Sequence, residues 1–163
     1  ERAMRTRVII ASTTVAVTVA AGAVAVGAAN ASSTGAAVTT GRHITVVERA
    51  VSDTVVDTGP KGDSQGDLLS FANPVFNAAN SKKVGHDNGS CIRTRVGRAW
   101  ECSWTTRLAR GSLVVEGPFL DKHDSTLAIT GGTGAYSRAR GVMHLHARNA
   151  MGTAYTFAFV VQR

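Results

Sequence analysis

From His43 to the C-terminus the chain alternates apolar and polar residues in short runs, and no stretch repeats them at helical spacing. In HITVVERAV, Ile44, Val46 and Glu48 fall on one face and Thr45, Val47 and Arg49 on the other, with β-branched residues prominent. The same period of two returns in GDLLSFANPVFN, SLVVEG, STLAIT, VMHLHAR and TAYTFAFVV. Pro74 has no amide hydrogen and is expected to break or edge its strand. Gly, Asn and Asp punctuate the runs, so DTGPKGDSQGD reads as a loop and NSKKVGHDNGS as a second turn-rich connection. Seven or eight strands at this spacing define an all-β domain, a barrel or a sandwich. A closed up-and-down barrel leaves no strand edge unpaired.

The first part of the chain does not belong to that domain. Arg5 and Arg7 precede a small-and-apolar run from Val8 to Ala29, and Ala29-Asn30-Ala31 has the small-x-small form of a signal-peptidase site. Residues 1–31 read as a secretory signal, 32–42 as a flexible Ser/Thr/Ala/Gly-rich linker, and 43–163 as the β-domain. A membrane-spanning helix is the other reading of the apolar run. Its Ala/Val/Thr composition and cleavable end favour the signal, which leaves an extracellular protein with no stable membrane insertion. Cleavage would remove three Arg and one Glu, taking the formal charge from +7 to +5. The remaining basic residues, such as Arg93, Arg95, Arg98 and Arg107, are dispersed, and aromatics make up only 6% of the chain. That pattern describes a solvated basic surface and no nucleic-acid partner.

Cys91 and Cys102 are the only cysteines. An even count in an exported chain favours a disulfide, whereas zinc asks for four ligands. In SCIRTRVGRAWECSWTTRL, Cys91, Arg93 and Arg95 share one face of a first strand, and Trp100, Cys102, Trp104, Thr106 and Leu108 share a face of a second, which puts the cysteines on the same face of the hairpin. If the cysteines oppose one another the turn centres on Val96-Gly97. Val tolerates positive φ poorly, so a four-residue loop through Arg98 is the alternative.

Two motifs suggest other chemistry. Gly131-Gly132-Thr133-Gly134 has the glycine density of a phosphate loop, but strand-like GVMHLHAR follows where the anion-binding helix should start. His144 and His146 share a face, as two metal ligands would. Met143, Leu145 and Ala147 claim the inward face, and no third ligand is evident. Neither a metal nor a cofactor is expected. Ser and His residues occur without a G-x-S-x-G elbow, so nucleophilic catalysis is not indicated.

GDLLSFANPVFN, KKVGHDNGSC, VEGPFLDKHDSTLAITGGTGAYSRARG and the final YTFAF, in that order and at that spacing, resemble the allene oxide cyclase barrel and its dirigent relatives. The resemblance runs from about Thr45 to Phe159. It implies an eight-stranded antiparallel up-and-down barrel, commonly trimeric, with an elongated, lipocalin-like apolar cavity. GGTG then becomes a corner at the barrel rim. It also implies that Glu48 matches the buried Glu that steadies positive charge on the substrate, that Asn73 matches the Asn that helps hold a water, and that Cys91 matches a cavity Cys. The chain departs from the plant cyclases at Ala50, where they have Asn, and at Phe119, where they have Tyr. Their Ser-Pro after the first strand has no clear counterpart among residues 53–60.

These readings give Glu48 and Asn73 as catalytic candidates. Phe71, Trp100, Trp104 and Phe119 are the substrate-binding candidates, as cavity lining or core filling. The expected function is a secreted barrel that binds an apolar small molecule and steers its cyclisation or isomerisation. The alternatives are a non-catalytic small-ligand carrier and a cell-surface binding module, as a monomer or as a dimer or trimer.

Overall fold

The computed structural model describes residues 41–162. The signal over 1–31 and nearly all of the linker over 32–42 lie outside the described residues. Nine strands form one antiparallel sheet: β1 (Arg42–Arg49), β2 (Thr54–Val56), β3 (Leu68–Asn77), β4 (Lys83–Arg95), β5 (Ala99–Leu108), β6 (Gly111–Leu120), β7 (Ser125–Gly132), β8 (Arg140–Ala147) and β9 (Ala154–Gln162). Each strand from β3 to β8 pairs with its successor, and β1 pairs with both β9 and β3. Eight strands therefore close into a barrel, while the short β2 hangs on β3 beyond the point where β1 stops pairing. Alternation drives the closure. Val46, Val75, Trp104, Val115, Ile129, Met143 and Phe157 point inward into one buried cluster, and the barrel leaves few backbone groups unpaired at its margins.

Cys91 and Cys102 face each other across β4 and β5 and are bonded, with Cα atoms 4.0 Å apart. The turn resolves the Val96 question: Gly97 takes the positive φ of 63°, Val96 does not, and Arg98 N–H donates to Arg95 O at 3.0 Å. The bridge closes a separation of 11 residues, and replacing both cysteines by Ala should cost about 3 kcal/mol of unfolding free energy by denaturant titration.

Two expectations need correction and one alternative is decided. NSKKVGHDNGS is not a connection: the turn ends before Lys83, and Gly85 to Ser90 pair on both sides with β3 and β5. Two-sided pairing overrides the turn-like composition, and the glycines are what the packing requires. A Cβ on Gly89 would collide with the backbone and Cβ of Trp104 on β5. Pro74 does not break β3, which runs through it, and the edge alternative holds: on that side pairing with β1 stops at Val75 and pairing with β2 at Ser70, so the missing amide falls in an unpaired stretch. Arg93 is not part of a solvated surface. It is 8% exposed and points inward like Cys91.

GGTG forms the corner. Gly131 and Gly132 end β7, a single 3₁₀ turn follows over Gly134–Tyr136, and Tyr136 is buried at the rim. Gly134, at φ 57°, packs so closely on Arg110 that a side chain there would meet its carbonyl. Ala135 N–H donates to the same carbonyl at 2.8 Å, so the amides serve the fold and not an anion.

Candidate functional site

Near one end of the barrel, β1, β3, β4, β5, β6, β8 and β9, with Asp53 after β1, line a cavity of about 50 Å³. Aromatic rings make most of its wall. Phe71 meets Trp104 edge to face with centroids 6.0 Å apart, Trp104 lies 5.5 Å from Phe157, and Phe119 meets Tyr155 at 5.7 Å. The disulfide and Leu69 complete one side. Phe119, Leu145 and Tyr155 also line a wider surface bowl of about 520 Å³ between the β6–β7 and β8–β9 turns. The Phe119–Tyr155 pair therefore stands between bowl and cavity.

Of the residues singled out from sequence, Glu48, Phe71, Trp104, Phe119, Cys91 and Cys102 line this cavity. Trp100 does not. It shares a face with Trp104 but lies farther along β5, under the Arg93 guanidinium at 3.9 Å. Shared face does not fix depth along the barrel axis. His144 and His146 are exposed and engaged with strand neighbours, His144 Nδ1 with Thr126 Oγ1 at 3.0 Å and His146 Nδ1 with Asp124 Oδ1 at 2.8 Å. Among the described residues, no three His, Cys, Asp or Glu side chains gather as a metal would require.

Glu48 is 5% exposed although it sits near the end of β1. Alternation turns it inward with Val46, and Asn73 Nδ2 donates to its Oε1 at 2.7 Å. Burial disfavours the carboxylate and raises the pKa to about 7; the Asn73 hydrogen bond opposes this, and the nearby Asp53 charge adds to it. Near neutral pH the group can therefore either give or take a proton.

Asn73 is 1% exposed, and its amide is fully used by the protein. Its two N–H bonds go to Glu48 and to Asp53 Oδ1, each at 2.7 Å. Its oxygen accepts from Val51 N–H at 2.9 Å, Ser52 N–H at 3.0 Å and the Ser52 hydroxyl at 3.1 Å. It fixes the β1–β2 connection and orients Glu48, so in this arrangement it is a positioning residue.

Sequence reasoning missed Asp87. It faces Asn73 across β3 and β4, is 0% exposed, and neither oxygen has a hydrogen-bond partner among the described residues. Burial, then the charge of Glu48, raises its pKa to about 8; the nearby backbone amides of Asn73 and Asp87, which fall short of hydrogen-bond geometry, pull it down in part. The signal was present: counting back by twos from Cys91 puts Asp87 on the same inward face.

The fold is a closed antiparallel barrel with a buried acid at the wall of an aromatic cavity. The allene oxide cyclase family matches residues 43–160, and the chain belongs to it. Solved structures agree on the fold. Pyocyanin demethylase is 25% identical, with a TM-score of 0.62 over 72% of this chain and 100% of its own. A pterocarpan synthase dirigent protein is 17% identical, with a TM-score of 0.60 over 74% of this chain and 92% of its own. The Diels-Alderase AbmU from Streptomyces koyangensis is 11% identical, with a TM-score of 0.58 over 76% of this chain and 69% of its own.

Proposed function

We propose that this chain is an exported barrel that admits a small, largely apolar molecule past Phe119 and Tyr155 and steers its cyclisation or isomerisation, with Glu48 as the reacting acid. The observation that carries this reading is the Glu48 carboxyl, desolvated at the wall of an aromatic cavity and aimed by Asn73. Such a group can donate a proton or steady developing positive charge where water does not compete. The aromatic rings hold one conformer of the reactant, which lowers the barrier through orientation. Export is supported by the leader-like N-terminal sequence and by the disulfide.

Turnover of reactive epoxides and of radical-coupling partners tests the reading. Glu48→Gln keeps the shape and removes the titrating group. It is expected to lower any rate enhancement by about 10²-fold, the scale of a positioned acid, and to return the product stereochemistry toward that of the uncatalysed reaction. An unchanged product ratio in the variant removes Glu48 from the mechanism.

A second reading is a carrier without turnover. It is favoured by the saturation of Asn73, which leaves no amide to fix a water against a substrate oxygen. Native mass spectrometry of the exported protein separates the two, since a carrier retains its ligand unconverted.

A further inference from the structure

Four neighbouring strands carry a row of polar side chains on their inner faces: Glu48 on β1, Asn73 on β3, Asp87 on β4 and Thr106 on β5, all buried. Asn73 stands opposite Asp87, and Asp87 opposite Thr106. The row ends at β6, where Leu113 faces Thr106. Beyond it the interior is apolar, with Val115, Ile129, Met143, Phe157 and Phe159. The barrel thus has one polar wall and one apolar wall.

Half of the polar wall is satisfied internally, through Asn73 and Glu48. The other half is not. Among the described residues, both oxygens of Asp87, Oγ1 of Thr106 and Nε1 of Trp104 have no hydrogen-bond partner. Trp104 lies two positions from Thr106 on the same face of β5 and lines the cavity, whereas Asp87 and Thr106 lie one layer farther along the barrel, fully buried behind its lining. Unpartnered polar atoms are costly to bury, and four on one wall point to a group that pairs with them. Their chemistry says what kind. The indole N–H only donates, the hydroxyl can donate, and burial keeps Asp87 protonated to about 8, so its carboxyl also offers a proton.

We propose that this wall is an inner ligand subsite in which Trp104, Thr106 and Asp87 receive a neutral carbonyl or hydroxyl oxygen, while the ligand's apolar body lies toward Phe71 and Phe119. The proposal rests on the cavity reading above and narrows the ligand class from apolar molecules to ketones and phenols that bind oxygen inward. A hydrocarbon would leave the donors unmatched. A carboxylate would find no cation, since no Lys, Arg or His lines the cavity and Arg93 is held by Asp63 and Asp121.

Phenol, toluene and benzoate are suitable probes because they share one ring and differ in the polar group. The chain has two tryptophans, so ¹⁵N-labelled protein gives two indole signals, assigned with Trp100→Phe. Phenol is expected to shift the Trp104 signal and to bind about tenfold more tightly than toluene, the value of one good neutral hydrogen bond, with benzoate weakest. In Thr106→Val and Asp87→Asn the margin of phenol over toluene should shrink to about threefold or less. The titrations are repeated in Phe119→Ala, which widens the throat in case the wild-type ring contact keeps the probes out. Equal binding of phenol and toluene overturns the subsite and leaves the cavity reading standing, as does a phenol margin that survives both polar-wall variants. If no probe moves the Trp104 signal in either protein, the cavity reading falls with the subsite.

Discussion

The unfolding free energy is expected to fall by several kcal/mol as pH rises from about 5 to about 8, and Asp87→Asn should remove most of that fall. In the unfolded chain Asp87 and Glu48 titrate near their ordinary values of 3.8 and 4.5; in the barrel they keep their protons to about 8 and about 7. Below the unfolded values both states are protonated and the groups cost nothing. As pH rises the unfolded chain releases its protons first, so the folded state binds more, and stability declines until pH passes the folded values. At about 1.4 kcal/mol per pKa unit, Asp87 alone sets an upper bound of roughly 6 kcal/mol over its whole titration range. Glu48 adds less than its separate share because the two carboxyls repel one another and titrate as a pair. Asp67 works in the opposite direction. Backbone amides of Ser64 and Thr58 hold its pKa below 3.8, and the stability it contributes is lost as pH falls through that lowered value. The most stable window should therefore lie on the mildly acidic side of neutral. Urea titrations at a series of pH values test this, and a curve that is flat or rising between pH 5 and pH 8 would show that the acid pair is solvated. Asp87→Asn should be more stable than wild type at about pH 8 and no more stable at about pH 4.

Arg93→Ala should cost about 2–3 kcal/mol, the scale of charge-assisted hydrogen bonds to a buried guanidinium, and less than a fully buried pair because Asp63 and Asp121 keep contact with solvent. The guanidinium Nη1 lies 2.8 Å from both oxygens of Asp121, Nε lies 2.6 Å from Asp63, and the group stacks 3.9 Å over Trp100. Its backbone takes part as well: Arg93 N–H donates to Asp67 O and Gly66 N–H donates to Arg93 O, each at 2.9 Å. One residue thus joins β4, the loop before β3 and the start of the β6–β7 turn. Arg93→Lys should recover only part of the loss, because a single ammonium cannot serve two carboxylates and a ring in the same geometry. Limited trypsin digestion gives an independent reading, since the loop carries Lys61 and should be cut faster in Arg93→Ala. A loss below about 1 kcal/mol would mean that the pair is effectively exposed.

Strand runs such as STLAIT and TAYTFAFVV were legible because one face of each meets the core and the other meets solvent, which writes the period of two into the chain. The disulfide was legible for the same reason, since two cysteines on facing strands fix a register. That register also places Asp87 inside, yet HDNG has the composition of a turn, and local composition says nothing about the two neighbours that pair with β4. β2 escaped notice because three residues, Thr54–Val56, are too few to show alternation within a loop rich in Gly and Asp. Trp100 and Arg93 show the other limit. Alternation tells which way a side chain points and not how far along the axis it lies, so Trp100 shares a face with Trp104 and serves an ion pair instead of the cavity. The inward direction of Glu48 could be read from Ile44 and Val46, but its link to Asn73 depends on the closure of β1 onto β3, which no local pattern records.

The bridge between Cys91 and Cys102 forms part of the cavity wall itself. Both sulfurs are committed to each other, so the lining presents a soft, polarisable surface and no thiolate that an electrophilic guest could alkylate. On the proposed reading, a reactive epoxide or enone would meet no thiolate there. Dithiothreitol or glutathione, by cleaving the bridge, would put two nucleophiles beside the guest, and a preparation handled under reducing conditions would be assayed with a chemically different chamber.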